Sequence, residues 1–311
     1  MSGADANTFL QGQLTNDVVG LKVGYAQRTG YCTPKGRLLA TMLQWRIDNE
    51  TVGHVLPREI AAPTIKRLRM YVLRAKAVFS APESALTVVG LWGDWTAGGM
   101  TALGAAGASA GVIALDRAWC VAESACPVLG ARAWLVGDST AVAQILEELP
   151  QIPRLSESAW WHSEIQNAKA WIWPPTVEAF VPQMVNLELI NGVSFTKGCY
   201  PGQEVVARSQ YLGKLKRRTF RAHLEALPEG VADAQALIGQ DLWSAAHPAE
   251  PCGRVVAAAP GIDGQGRSTA EVVLLVELSL AAWEAQGVHV RAVDGPVLAA
   301  DELPYTIPVD A

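Results

Sequence analysis

The octamer Lys197-Gly198-Cys199-Tyr200-Pro201-Gly202-Gln203-Glu204 sets a thiol between two glycines, with an ammonium two positions before it and an amide–carboxylate pair behind it. The thiolate is the nucleophilic form of cysteine, and a nearby cation lowers the cost of forming it. Lys197 beside Cys199 is therefore the composition of a reactive or relay thiol. Glycine lets a backbone turn sharply or lets a ligand approach it closely, so Gly198 and Gly202 are expected to keep Cys199 accessible. Gln203 and Glu204 supply groups that can orient the loop or a bound molecule. As a local pattern alone, the octamer also reads as a strand–turn–strand junction holding an inert cysteine, because Gly and Pro punctuate turns of every kind.

The eight positions resemble the K-G-C-[YF]-x-G-Q-E signature of the YgfZ family, folate-binding relatives of the glycine-cleavage aminomethyltransferase. The resemblance continues through Pro182-Gln183-Met184-Val185-Asn186-Leu187, Gly192-Val193-Ser194-Phe195 and Val205-Val206-Ala207-Arg208. It includes Gly3-Ala4-Asp5 and Phe9 to Asp17 near the start, and Leu303-Pro304-Tyr305 near the end. Three departures stand out. Members carry a strand with a folate-contacting tryptophan ahead of the G-A-D triplet; Met1-Ser2 stands in that place here, and the start reads as truncated or misassigned. The C-D-x-K-G-[KR] hairpin reads Cys32-Thr33-Pro34-Lys35-Gly36-Arg37, without the acid. The W-x-x-x-x-I-E-x-G helix reads Trp160 to Ile165-Gln166-Asn167-Ala168, with an amide for a carboxylate and alanine for glycine. These departures bear on folate affinity more than on fold.

The resemblance implies an α+β fold: a GcvT-like folate-binding body of two ferredoxin-like α+β units, followed by a C-terminal antiparallel β-barrel. The corresponding segments are 1–83 with 151–212, then 84–150, then 213–311. It further implies tetrahydrofolate or a derivative, mono- or polyglutamylated, as ligand, with iron–sulfur enzymes or assembly proteins as partners and tRNA reached only indirectly. Cys199 and Lys197 would carry the chemistry. Trp160, Gly198, Tyr200, Gly202, Gln203, Glu204 and Arg208 would contact the ligand, Trp160 by stacking on its rings. Two other functions compete. An aminomethyltransferase acting on a lipoyl-bound substrate is disfavoured because authentic transferases carry a cysteine-free sequence in place of this motif. A non-catalytic scaffold would bind RNA or protein through a basic rim.

Composition bounds these readings. A chain of 311 residues, half of them hydrophobic, can bury two or three cores. No apolar run reaches the ~18 residues of a membrane helix, and no signal peptide opens the chain, so the protein reads as cytoplasmic. Five scattered cysteines without a CxxC pair argue against a disulfide framework, a zinc site or a resident iron–sulfur cluster. A net charge of −5 argues against a general nucleic-acid binder. Two basic runs interrupt the acidic balance, Lys66, Arg67, Arg69, Arg74 and Lys76, and Lys214, Lys216, Arg217, Arg218 and Arg221. Each reads as a solvated face or as a rim for a polyglutamate tail or RNA phosphate.

The elements that position these residues follow from periodicity. Asp5 is placed to cap a short helix. Strands over Tyr25–Cys32 and Arg37–Ile47 meet at Thr33-Pro34-Lys35-Gly36, with a third over Thr51–Leu56. Pro63 suits the first turn of a helix carrying Ile65, Leu68 and Val72, and Leu73–Phe79 alternates like a half-buried strand. Strands near Leu86–Leu91, Val112–Leu115, Trp119–Ala122 and Ala133–Val136 precede a helix capped by Asp138 or Ser139, with a Gly/Ala-rich helix near Thr96–Gly111. Residues 156–168 read as helical. Short β runs over Arg218–Leu224, Ala236–Trp243, Gly253–Ala259, Ala270–Leu278 and Val288–Val293 suggest a small antiparallel barrel.

Overall fold

The computed structural model describes residues 1–79, 86–93, 111–127, 130–149, 153–211, 215–245 and 248–308. Helix α1 (Ala6–Gln11), strands β1 (Ala26–Cys32), β2 (Leu38–Arg46) and β3 (Val52–Val55), and helix α2 (Arg58–Val72) form the first unit, with an antiparallel sheet in the order β1-β2-β3. The period of two along β2 divides its side chains between two cores. Leu38, Ala40 and Met42 pack with Phe9, Leu10, Ile60 and Leu68, while Leu43 and Trp45 face the other way. Thr41 sits on that second face and ties it to the returning chain, donating to the Ala170 carbonyl at 3.1 Å and accepting from the Ile172 amide at 3.0 Å.

The second unit holds β4 (Leu86–Gly93), β5 (Val112–Leu115), β6 (Ala118–Cys126), β7 (Gly130–Asp138) and helix α3 (Ser139–Glu148), its antiparallel sheet running β4-β7-β6-β5. The Asp138 carboxylate caps α3 by accepting from the amides of Thr140 at 3.0 Å and Ala141 at 3.2 Å. Helix α4 (Glu157–Gln166) then returns across both units, and α5 (Gln203–Tyr211) closes the central segment.

The third sheet comprises β8 (Arg217–Leu224), β9 (Asp241–Ser244), β10 (Gly253–Ile262), β11 (Ser268–Ser279), β12 (Val288–Val290) and β13 (Ala299–Asp301), with helix α6 (Leu280–Ala285) between β11 and β12. Its order is β12-β9-β10-β11-β8-β13, a curled antiparallel half-barrel. The curl brings its edges together. The Leu298 amide donates to the Val288 carbonyl at 2.8 Å and the Val290 amide to the Pro296 carbonyl at 2.9 Å, just before the same segment pairs with β8 as β13. Few free edge groups remain to template pairing with another chain.

Several expectations are corrected. Leu73–Phe79 is not a strand. Leu73 takes a left-handed φ of 44°, Val78 makes only a bridge to Ser2, and both side chains are exposed, because no neighbouring strand pairs along the segment. Pro63 lies inside α2 rather than in its first turn, since the buried stripe Ile60, Thr64 and Leu68 begins a turn earlier. Asp5 stands at the N-cap position of α1, yet its carboxylate accepts from the Lys76 amide at 2.7 Å and not from the helix. The Ala236–Trp243 run splits into a 3₁₀ turn and the short strand β9. The Gly/Ala-rich segment apart from Gly111, and Lys214, lie outside the described residues.

One sequence departure acquires a physical meaning. Ala168, standing where the family pattern has glycine, holds φ at +49°, the left-handed region that disfavours a Cβ. Ala168→Gly is expected to stabilise the protein by about 0.5–1 kcal/mol, the relief of roughly 1–2 kcal/mol of strain exceeding the entropic cost of the added freedom. Urea unfolding of the two proteins checks this, and an unchanged or lowered midpoint would count against the strain.

Candidate functional site

The loop carrying Cys199 is fastened from beneath. Lys197 is 9% exposed, and its ammonium donates to the carbonyl of Gln11, the last residue of α1, and, at 2.7 Å, to that of Leu14 just beyond it. The same ammonium lies 4.8 Å from the centroid of the buried Tyr200 ring, a cation–π contact. Burial pushes the Lys197 pKa down to about 8, against the opposing pull of Asp17 and Cys199. Tyr200 is pushed upward by burial. Between these two anchored residues Cys199 is exposed, whereas Cys32, Cys120 and Cys126 are buried and Cys252 is partly covered. Burial raises the Cys32 thiol to about 12 and the Cys120 thiol to about 11, which keeps both protonated.

The two glycines of the motif serve different ends. A Cβ on Gly198 would meet nothing within 4 Å, so this position leaves the approach to Cys199 open. Gly202 holds φ at +83°, and a Cβ there would lie 2.5 Å from the Thr33 carbonyl oxygen and 2.6 Å from the Gly36 Cα. Gly202 is where the β1–β2 turn docks against the start of α5. Gln203 and Glu204 form the first turn of that helix and Arg208 lies in its last, with Glu204 and Arg208 exposed to solvent.

The flanking motif residues, which carry the resemblance without an assigned role, act as fasteners. The Gln183 amide donates to the Val206 carbonyl at 2.7 Å and so holds α5. The Asn186 amide donates to the Thr219 carbonyl at 2.7 Å, and the Tyr305 hydroxyl donates to the Ala168 carbonyl at 3.2 Å, joining the half-barrel to the body.

Trp160 sits elsewhere, 3% exposed in the interface between α4 and the second sheet. Its ring meets Trp134 at 4.3 Å and the Arg132 guanidinium at 5.1 Å, and a Cβ on Gly90 would fall 2.1 Å from it. The structure thus separates the Cys199 loop, which contacts α1 and the β1–β2 turn, from Trp160. Around Trp160 lies a buried ion network whose partners stand far apart in sequence. Arg28 pairs with Glu123 and, at 3.0 Å, with Glu164; Arg132 pairs with Glu164 at 2.8 Å; Lys169 pairs with Glu123. The Trp171 indole donates to Glu164 at 2.6 Å and the Trp134 indole to Glu123 at 3.2 Å. Burial alone would raise Glu164, but Arg28 and Arg132 override it and hold the carboxyl below its ordinary range. Burial lowers Lys169 by more than its carboxylate partners restore. Among the described residues, no three His, Cys, Asp or Glu side chains converge as a metal site.

No protein-family model matches the chain. It is 32% identical over 261 residues to the tRNA-modifying protein YgfZ of Edwardsiella ictaluri, covering 78% of this chain and 73% of the relative. It is 32% identical to the protein of the same name from Colwellia psychrerythraea, over 71% of this chain and 67% of the relative. That of Yersinia enterocolitica is 27% identical over all of this chain and 90% of its own length. The fold matches the crystal structure of the glycine cleavage system aminomethyltransferase T from Bartonella henselae, with a TM-score of 0.72 at 14% identity, over 97% of this chain and 82% of that one.

The reduced folate that the resemblance implies can be tested against the interface between the units. Four buried donors there, Trp160 Nε1, Trp173 Nε1, Arg28 Nε and Arg132 Nη2, have no acceptor among the described residues, a donor set suited to an acceptor-rich ligand. Beside Trp173, toward β10, a space of about 10 Å³ bounded by Trp161, Glu164, Lys169, Trp171 and Ala257 takes at most one water.

Two predictions follow from this geometry. Gly202→Ala is expected to cost about 1–3 kcal/mol of stability through its left-handed φ and the approach of the β1–β2 turn, while Gly198→Ala stays within about 0.5 kcal/mol; equal losses in urea unfolding would contradict the division of roles. Tetrahydrofolate is expected to quench the wild-type tryptophan fluorescence saturably, and Trp160→Ala, which removes the ring that Arg132 faces, to weaken that response. A wild type without saturable quenching would count against the donor set as a folate site.

Proposed function

The chain belongs to the YgfZ family, and from that premise we propose that it is an accessory protein of tRNA modification whose working group is the Cys199 thiol. In this reading it serves the iron–sulfur enzymes that thiolate tRNA, or the assembly and repair of their clusters, in the cytoplasm. The observation that carries the proposal is the presentation of Cys199: of five cysteines it alone is exposed, on a loop pinned by Lys197 and left open at Gly198. A buried, protonated thiol such as Cys32 cannot attack or relay, since the thiolate is the reactive form. Reduced folate is the ligand that the resemblance brings to this reading, and the aminomethyltransferase-like fold is consistent with it. No step is routed through that ligand, and the fluorescence titration decides whether it takes part.

The experiment is complementation of a strain lacking the family member, scoring iron–sulfur-dependent tRNA thiolation. Cys199→Ser is expected to abolish rescue while its unfolding free energy stays within about 0.5 kcal/mol of wild type. Cys120→Ser, which buries an unpartnered hydroxyl, is expected to rescue yet lose about 1–3 kcal/mol. A Cys199→Ser protein that rescues fully removes the thiol from the function.

A further inference from the structure

We propose that the face formed by the C-terminal half of α2 and residues 73–76 docks RNA directly, in place of the indirect contact expected from the sequence. The inference rests on the reading that the chain serves tRNA modification, and names the surface that would meet the tRNA.

Charge segregation comes first. Between residues 60 and 79 the sequence has five cations and no acid, within a chain of net charge −5. Lys66, Arg69, Arg74 and Lys76 are exposed and Arg67 is partly so. None of the five takes part in an ion pair among the described residues. The second basic run contrasts with this. Arg217 pairs with Glu277, the buried Arg218 with Glu188, and Arg221 with the Gln166 amide. Of the second run the three arginines are held by the fold and the described lysine, Lys216, is exposed, whereas all five cations of the first run are left without an ion pair among the described residues.

Apolar exposure is the second, independent observation. Met70 is 59% exposed, Tyr71 47% and Leu73 87%, interleaved with the unpaired cations. Beside them an open groove of about 530 Å³ runs between Arg69, Leu73 and Phe79. Free cations alone are ordinarily a solvated face. Cations tracking a backbone beside an exposed ring on which a base can stack are the composition of a single-stranded nucleic-acid surface. An acidic protein partner would satisfy the charges but would give Tyr71 no comparable role.

The test is fluorescence anisotropy of the full chain with an unmodified tRNA transcript over a salt series. Replacing Lys66, Arg69, Arg74 and Lys76 together by Ser is expected to weaken binding at least tenfold and to flatten the log–log salt slope by about three, since each neutralised phosphate contributes roughly 0.7–0.9. Tyr71→Ala is expected to weaken binding at least fivefold with the salt slope unchanged, the mark of lost stacking. A control replacing Lys22, Arg117, Arg154 and Arg267 by Ser removes the same charge elsewhere and should bind like wild type; circular dichroism confirms that each variant is folded. The proposal is overturned if wild type does not bind tRNA, if the fourfold variant binds equally well, or if the control loses as much. It is also overturned if the fourfold variant keeps its tRNA affinity but no longer retains an iron–sulfur enzyme, which would give the face to a protein. Rescue through Cys199 without tRNA affinity would remove this face and leave the proposed function standing, whereas tRNA affinity without rescue would do the reverse.

Discussion

The architecture depends on five charges taken out of water together. Arg28 comes from β1, Glu123 from β6, Arg132 from β7, Glu164 from α4 and Lys169 from the segment after it, so the first unit, the second unit and the returning chain meet at one network. Such a network is weak evidence for net stability, because desolvation offsets much of its attraction, but removing one partner strands the others at about 3–5 kcal/mol. What it supplies is register. With Glu164 held by two guanidiniums and an indole, α4 cannot rotate, and Trp160 is committed to the space over Gly90. The tryptophan packing that closes the interface is a consequence of that fixed register.

The thiol loop obeys a different economy. Its conspicuous residues divide into those that hold and those that present. Lys197 spends its charge on the carbonyls that α1 leaves behind, groups a helix end must satisfy somehow, and Tyr200 stays buried beneath that ammonium. Gly202 allows two backbones to meet. Gly198 and Cys199 are left with nothing to hold among the described residues, which is how a thiol is displayed on a fixed frame without long flexible flanks.

Much of this was legible beforehand, and the remainder failed for identifiable reasons. Strands β1, β2 and β6 to β8 were readable as β-rich runs bounded by turn residues, and α3 because Asp138 announces its start. Leu73–Phe79 alternates but has no neighbour to pair with, and alternation states only what a strand would do if it had one. The ion network could not be seen locally, since Arg28 meets partners 95 and 136 positions away. The available hint was charge inside otherwise apolar runs, as in Ala131-Arg132-Ala133-Trp134 and Ala168-Lys169-Ala170-Trp171. The two basic runs show the same limit from the other side. Nothing in the order of their residues tells which cations will find carboxylates.

The loop and the cationic face belong to one packed layer. Helix α1 ends at the carbonyls that receive Lys197, and its Phe9 meets Phe79 edge-on at 6.2 Å, on the margin of the groove beside α2. Phe9, Leu10, Ile60 and Leu68 share a single core with Val193 and Val206, which bracket the Cys199 loop in sequence. Close-packed interiors do not deform gradually. A thiol and a docking face fastened to one such core keep a constant spacing, and a rigid spacing is what lets a macromolecule bound at one be addressed at the other. The ion network stands on the far side of the same sheet, holding the layer against the second unit.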